Sequence, residues 1–215
     1  MQRTVFEGEA LAWMAANPAP PNAAVITSLP DVIEVPLAFN DWRDWFIHAA
    51  QTVIFWLPKE SVAIFYQSDI RHEGHWVDKG YLVMRAAEAA SAHLLWHTIV
   101  CRKPAGTLSQ GRATYSHMIA VSRSPRVPRK PRADVLPDAG EMTWTRAMGA
   151  NAARAACAYL HEETDAAVVV DPFCGQGTVL AAANERGMAA IGVDLSAKRC
   201  RKARTLADLS TRVKT

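Results

Sequence analysis

The sequence has no C-x-x-C pair; its four cysteines, Cys101, Cys157, Cys174 and Cys200, lie far apart. That scatter excludes a disulfide framework and a zinc knuckle, and it reads as the reduced thiols of a cytoplasmic protein. No apolar run approaches the roughly 18 residues that a membrane span needs. The opening MQRTVFEGEALAW lacks the apolar stretch of a signal peptide. Charge of one sign is scarce too. Lys and Arg total 24 against 21 Asp and Glu, and the net +3 permits an anionic partner without demanding one. There is no internal repeat.

What remains is a chain of 215 residues, half of them hydrophobic and 21% charged. This is ordinary globular composition, and the length suits one domain over 1–215. One stretch differs. SRSPRVPRKPRADVLPD, residues 122–138, holds four of the twelve prolines. Over 123–132 it carries Arg123, Arg126, Arg129, Lys130 and Arg132 and no acid. Prolines at that density exclude a helix or a central strand, so an exposed basic loop is expected at about 122–140.

Elsewhere apolar, β-rich runs alternate with helical patterns. Strands are expected at Arg3–Phe6, Ala24–Ser28, Val62–Gln67, His93–Val100, Tyr115–Ser122, Ala166–Asp171 and Ala189–Asp194. Helices are expected at Asp41–Leu57 (with Asn40 as cap), Tyr81–Ser91, Met148–His161, Thr178–Arg186 and Ala197–Leu209. The alternation implies an α/β fold, a mostly parallel sheet covered on both faces.

The sharpest signal is AVVVDPFCGQGTVLAAANERGMAAIGVDLS, residues 167–196. A buried valine strand ends at Asp171. Gly175 and Gly177 then make a tight turn into a helix, leaving backbone N–H groups open to a ligand. The next strand ends at Asp194, where such folds hold a ribose hydroxyl pair. A dinucleotide site fits poorly, because Leu180 stands at the third glycine position and the unit comes late in the chain.

DPFCGQGT resembles motif I of class I S-adenosylmethionine-dependent methyltransferases, particularly the amino-methyltransferases of DNA and RNA bases. In their permuted, β-type group of DNA N4-cytosine and N6-adenine enzymes, the catalytic motif precedes the cofactor motif, as here. VFEGEALAWMAANPAPPNAAVITSLPD resembles that group's opening. VAIFYQSD and LLWHTIVCRKPAG fall where it has later strands, and RAMGANAARAACAYL where a helix precedes motif I. The resemblance implies a doubly wound, seven-stranded sheet, circularly permuted, with S-adenosyl-L-methionine as cofactor.

By that resemblance Asp171, Phe173, Gly175 and Gly177 line the methionine end of the cofactor, with Pro172 and Thr178 in the same turn. Asp194 holds the ribose, Glu9 lies near the adenine and Arg146 reaches the carboxylate. The acceptor turn is TSLPD, in which Ser28 and the Leu29 carbonyl take hydrogen bonds from an amine, Pro30 stiffens the turn and Asp31 ends it. The family has a proline where Leu29 stands and an aromatic where Asp31 stands. A stacking surface must then come from elsewhere, and Phe39, Trp42 and Trp45 are nearest in sequence. No metal is expected: QSDIRHEGHW, residues 67–76, lacks the helical H-E-x-x-H spacing, and Gly74 argues for a loop. Tyr115 and His117 either reach the pocket rim or pack.

The expected activity is methyl transfer to a nucleic-acid base. Structured RNA such as tRNA stands slightly ahead of DNA, because 215 residues leave no room for a recognition domain. The basic loop is the expected phosphate contact, and a homodimer is compatible with the sequence. The alternatives are a small-molecule methyltransferase and a non-catalytic binding subunit on the same fold.

Overall fold

A computed structural model describes residues 2–207 and 209. In chain order the elements are β1 (Arg3–Glu7), α1 (Ala10–Ala16), β2 (Ala23–Thr27), a single 3-10 turn (Val32–Glu34), α2 (Phe39–Trp56), β3 (Ala63–Gln67), β4 (Ile70–His72), β5 (His75–Val77) and α3 (Lys79–Ala89). There follow β6 (His93–Cys101), β7 (Tyr115–Ser122), β8 (Val135–Leu136), α4 (Ala150–Glu163), β9 (Val168–Asp171), α5 (Thr178–Glu185), β10 (Ala189–Asp194) and α6 (Ala197–Thr205). Among the described residues no helix is long and apolar enough to cross a membrane.

Eight strands form one sheet in the order β1-β10-β9-β2-β3-β7-β6-β8. The first five are mutually parallel, β7 runs against β3 and β6, and β8 lies parallel to β6. The carboxyl ends of β1, β10, β9, β2 and β3 therefore share one edge. β9 is seated between β10 and β2, so the late cofactor-type strand pairs directly with the early strand that leads into TSLPD.

Helices cover both faces because alternate strand residues point to opposite sides. Ala24, Ile26, Ile64 and Tyr66 pack beneath α4 and α5, against Ala152, Ala153, Ala156, Leu160 and Leu180. Val25, Ala63, Phe65 and Ile119 pack against α2 and α3 through Trp42, Phe46, Val53, Leu82 and Val83.

Four expectations need correction. The sheet has eight strands rather than seven, because Val135–Leu136 pairs with Ile99–Val100 at its edge; two residues in a proline-rich stretch carry no period to read. The loop expected around Gly74 is a hairpin: β4 and β5 pair, and Glu73 (φ 46°) and Gly74 (φ 81°) make a left-handed turn that suits strand twist. Helix α2 starts at Phe39 with Ala38 in the cap position, so Asn40 lies inside the first turn. Phe39 is held there by ring contacts with His72 (4.0 Å) and Trp42 (5.8 Å). Helix α6 stops at Thr205 rather than Leu209; residue 208 lies outside the described residues.

Candidate active site

The edge formed by the carboxyl ends of β2, β9 and β10 holds a cleft of about 540 Å³. Glu9, Ser28, Leu29, Pro30, Arg146, Asp171, Pro172, Phe173, Gly175, Thr178 and Asp194 line it. Two turns far apart in sequence thus meet at one place. The direct link is Thr27 Oγ1, which donates to Asp171 Oδ1 at 2.7 Å across 144 positions. Gly177 does not line the cleft but shapes it. Its φ of +88° suits glycine, and a Cβ there would meet Ala203 Cα at 2.8 Å.

Most contacts of the glycine turn run through the main chain. Asp171 Oδ1 also accepts from the Phe173 N–H at 3.1 Å. Asp194 accepts from Gly175 N–H at 3.1 Å and from Ser196 N–H at 2.8 Å, and the Arg199 guanidinium lies 3.6 Å away. Burial pushes the Asp171 carboxyl up to about 7, against the pull of its hydrogen bonds from Thr27 and Phe173; the charge of Asp194 adds to the rise. Cys174 is buried in the turn, and burial pushes its thiol far above the ordinary range. That suits packing and not nucleophilic attack.

The TSLPD turn is built from side chains. The Trp42 indole, fully buried, donates to the Pro30 carbonyl at 3.1 Å. Asp31 lies outside the lining and pairs with Lys79, whose side chain is only 3% exposed. Lys79 begins α3. The next residue is Gly80, where a Cβ would strike the His117 ring at 2.8 Å, so glycine lets α3 press onto β7. His117 is itself buried, donates or accepts at Asp69 (3.1 Å) and meets His97 at 3.0 Å. Tyr115 donates to Asp69 at 3.0 Å and the Lys79 N–H to the same carboxylate at 2.9 Å. Burial alone would raise the Asp69 carboxyl; His117, Lys79 and Tyr115 together hold it below the usual carboxylate range.

The structure sorts the remaining sequence candidates. Glu9 lines the cleft while its Oε2 caps α1 through the Ala12 N–H at 2.6 Å. Arg146 lines the cleft and pairs with Glu34 at 2.6 Å. Of the three aromatics, Trp45 lines the cleft, edge-on to Phe173. Trp42 is beneath the turn, and Phe39 stacks on His72. Tyr115 and His117 pack outside the lining. Of the acids and histidines in 67–76, Asp69 leaves the segment's other members. Among the described residues it joins Asp78 and His117, with ligand-capable atoms all within 4.8 Å.

The basic loop is not brought to the cleft. Because β7 is antiparallel, Ser122 ends at the opposite edge of the sheet, beside Ala63. There Arg123 donates to the Leu57 carbonyl at 2.6 Å, and Arg126 to the carbonyls of Glu60 and Glu163. The Arg129 N–H bonds Glu163, Lys130 pairs with Glu162, and Arg132 lies 4.4 Å over the Tyr159 ring. The segment is a strap bound to the body. Its charge has local partners that proline content does not foretell.

Sequence reasoning missed three contributors. Thr27 precedes the motif it supports. Trp144 lies 2.8 Å from the point a Gly175 Cβ would occupy, and Arg199 covers it at 5.0 Å. Thr143 bonds Thr178 at 2.7 Å. Only the proximity of Thr143 and Trp144 to the RAMG segment offered a signal.

No protein-family model and no curated protein matches the sequence. Solved structures do match in fold. The PvuII DNA methyltransferase, cytosine-N4-specific, aligns with a TM-score of 0.76 at 12% identity, covering 95% of this chain and 86% of that one. TTHA0409 of Thermus thermophilus, a DNA modification methylase complexed with S-adenosyl-L-methionine, aligns at 0.70 with 17% identity, covering 94% and 93%. The M1.HpyAVI–SAM complex aligns at 0.62 with 12% identity, covering 94% and 98%. In fold the chain therefore resembles the permuted class I methyltransferases: α/β, doubly wound, with the glycine-turn strand late in the chain.

Proposed function

We propose that the protein is an S-adenosyl-L-methionine-dependent methyltransferase acting on an amine of a nucleic-acid base. The observation that carries this reading is the meeting of the Asp171–Thr178 turn and the Ser28–Pro30 turn in one cleft, joined by the Thr27–Asp171 hydrogen bond. The cleft's volume falls in the range that encloses a cofactor-sized ligand. Its walls fit the group. The Asp194 carboxylate retains acceptor capacity for ribose hydroxyls, Trp144 and Phe173 supply apolar surface, and Arg146 offers a cation for a carboxylate. Glu9 stands by Gly8, whose N–H bonds the Asp194 carbonyl at 3.1 Å.

When bound, the cofactor supplies an already activated methyl group on a sulfonium. The chain's task is then positioning, which contributes up to about 7–11 kcal/mol in favourable cases. Ser28 Oγ and the Leu29 carbonyl accept hydrogen bonds from the acceptor amine and orient its lone pair. Trp42 and Lys79 hold the turn rigid from behind. Trp45 is the aromatic that faces the cleft from α2 and offers a surface to the base.

Lack of room for a recognition domain is the sequence's reason to favour RNA. This chain covers 86% of a protein named as a DNA methyltransferase, so room alone does not favour RNA. DNA is the first substrate to test. Labelled S-adenosyl-L-methionine is incubated with DNA, RNA and small-metabolite pools, followed by nucleoside mass spectrometry. Label in a nucleic-acid base supports the reading. Label only in metabolites replaces it with a small-molecule enzyme, and cofactor binding without transfer replaces it with a binding subunit. Ser28→Ala is expected to cut turnover while leaving cofactor affinity unchanged; loss of cofactor binding instead would remove Ser28 from the acceptor role.

A further inference from the structure

Hairpin β4–β5 is a two-stranded sheet of its own, and it grows from the carboxyl end of β3, at the edge that holds the cleft. Its inward face carries Ile70 and Val77, which pack on the α2–α3 core, and His72, which stacks on Phe39. Both feet are pinned. Asp69, buried at 4% exposure, takes hydrogen bonds from the Lys79 N–H, Tyr115 and His117. Lys79, on the other foot, pairs with Asp31, three positions beyond Ser28.

The outward face is different. Arg71 and Trp76 are cross-strand partners, so their side chains share that face. The guanidinium lies 5.3 Å from the indole centroid, and Trp76 is 44% exposed. A large aromatic held in water on a pinned element marks a surface with a partner. Beside it runs the β6–β7 connection, RKPAGTLSQGRAT over 102–114, which carries Arg102, Lys103 and Arg112 and no acid. Arg102 donates to Ser68 at 3.3 Å, fastening this loop to the hairpin's foot. The acids nearby are Glu73 at the tip, 3.9 Å from His72, and Asp78 at the foot, 3.6 Å from His117.

We propose that hairpin β4–β5 and loop 102–114 form the seat for an unpaired nucleic-acid strand flanking the acceptor base. Trp76 stacks on a neighbouring base, and Arg71, Lys103 and Arg112 meet its phosphates. The Lys79–Asp31 pair couples that seat to the acceptor turn. An indole face with adjacent cations fits an unstacked nucleotide, whose π-face and phosphate it can engage together. Extrusion of a base for chemistry leaves such nucleotides beside it. The strap at 123–132 has no part in the seat, since it lies at the far edge of the sheet. The proposal deepens the nucleic-acid reading above and rests on it.

The test is fluorescence anisotropy of the full chain with labelled single-stranded DNA and RNA oligonucleotides over a range of salt, with S-adenosyl-L-methionine affinity measured in parallel. Trp76→Ala and Arg71→Ala are each expected to weaken oligonucleotide binding about tenfold, with Trp76→Phe retaining most of it. Arg102→Ala, Lys103→Ala and Arg112→Ala combined should lower the salt slope by about two. Arg129→Ala with Lys130→Ala should change neither, and all variants should keep wild-type cofactor affinity. Wild-type binding in Trp76→Ala and Arg71→Ala, or a loss confined to the strap variant, overturns the seat while leaving the methyltransferase reading intact. A wild-type protein that binds no oligonucleotide overturns the seat and the nucleic-acid reading together.

Discussion

The two halves of the cleft are held in different ways. On one side, β1, β10 and β9 present a surface whose polar contacts come mainly from the main chain: the N–H groups of Phe173, Gly175, Ser196 and Gly8 each end on Asp171 or Asp194. On the other side, β2, β3 and β7 carry a turn fixed by side chains from other elements: Trp42 on Pro30, Lys79 on Asp31, and Asp69 with His117 behind them. A main-chain cradle depends on a few φ angles and tolerates change at most positions. A side-chain scaffold can be altered one residue at a time. On the proposed reading, the first half meets a ligand that never varies and the second an acceptor that defines the enzyme.

The comparison is broken most severely at Gly177. Gly177→Val places a branched side chain at φ +88° and against Ala203, and is expected to destabilise the fold by about 3 kcal/mol or more, read by urea denaturation. If stability is unchanged, the cradle does not depend on that angle.

Next is Asp194→Ala, which leaves the Gly175 and Ser196 N–H groups without their acceptor. Cofactor affinity by calorimetry should fall roughly 10- to 100-fold, and less in Asp194→Asn, which keeps an acceptor. Equal loss in both variants would point to charge rather than hydrogen bonding.

Asp171 sharpens the comparison through pH. Its carboxyl is pushed up to about 7 in the folded protein from an ordinary value of 3.8. The folded state therefore keeps a proton that the unfolded chain releases. The stability this group contributes is complete below about pH 4 and is lost as pH rises through about 7. Between pH 5 and pH 8 the wild type should lose on the order of 1–3 kcal/mol more than Asp171→Asn. Parallel curves for the two proteins would mean that Asp171 titrates normally.

The smallest effect belongs to the strap. Lys130 is 62% exposed and pairs with Glu162 at 3.5 Å, so Lys130→Ala should change stability by less than about 0.5 kcal/mol.

How much of this was readable in advance follows the same division. The glycine turn is contiguous, and its chemistry lies within DPFCGQGT and the next strand end; the cleft gathers Asp171, Gly175, Thr178 and Asp194 as the spacing implied. The seven main strands were readable because β-branched and aromatic runs are interrupted by helical periods. The acceptor half was only partly readable. Ser28 to Pro30 reach the cleft, yet Asp31 turns away to Lys79, 48 positions later, and nothing around either residue announces the pair. Trp42, Trp45 and Phe39 are equivalent by sequence proximity, and only helix rotation separates them. The basic stretch misled because charge density says nothing about which edge of a sheet a segment will occupy.

Strand β9 fills a slot between β10 and β2, although it is made long after β2. During synthesis on a ribosome, β2, every residue of it destined for burial, waits with one flank bare until residue 171 has emerged. An apolar strand with an unsatisfied edge is a template for mispairing. The nascent chain thus spends most of its birth as a half-sheet, and protection of that one flank by a chaperone or by slow elongation governs how much protein reaches the finished state.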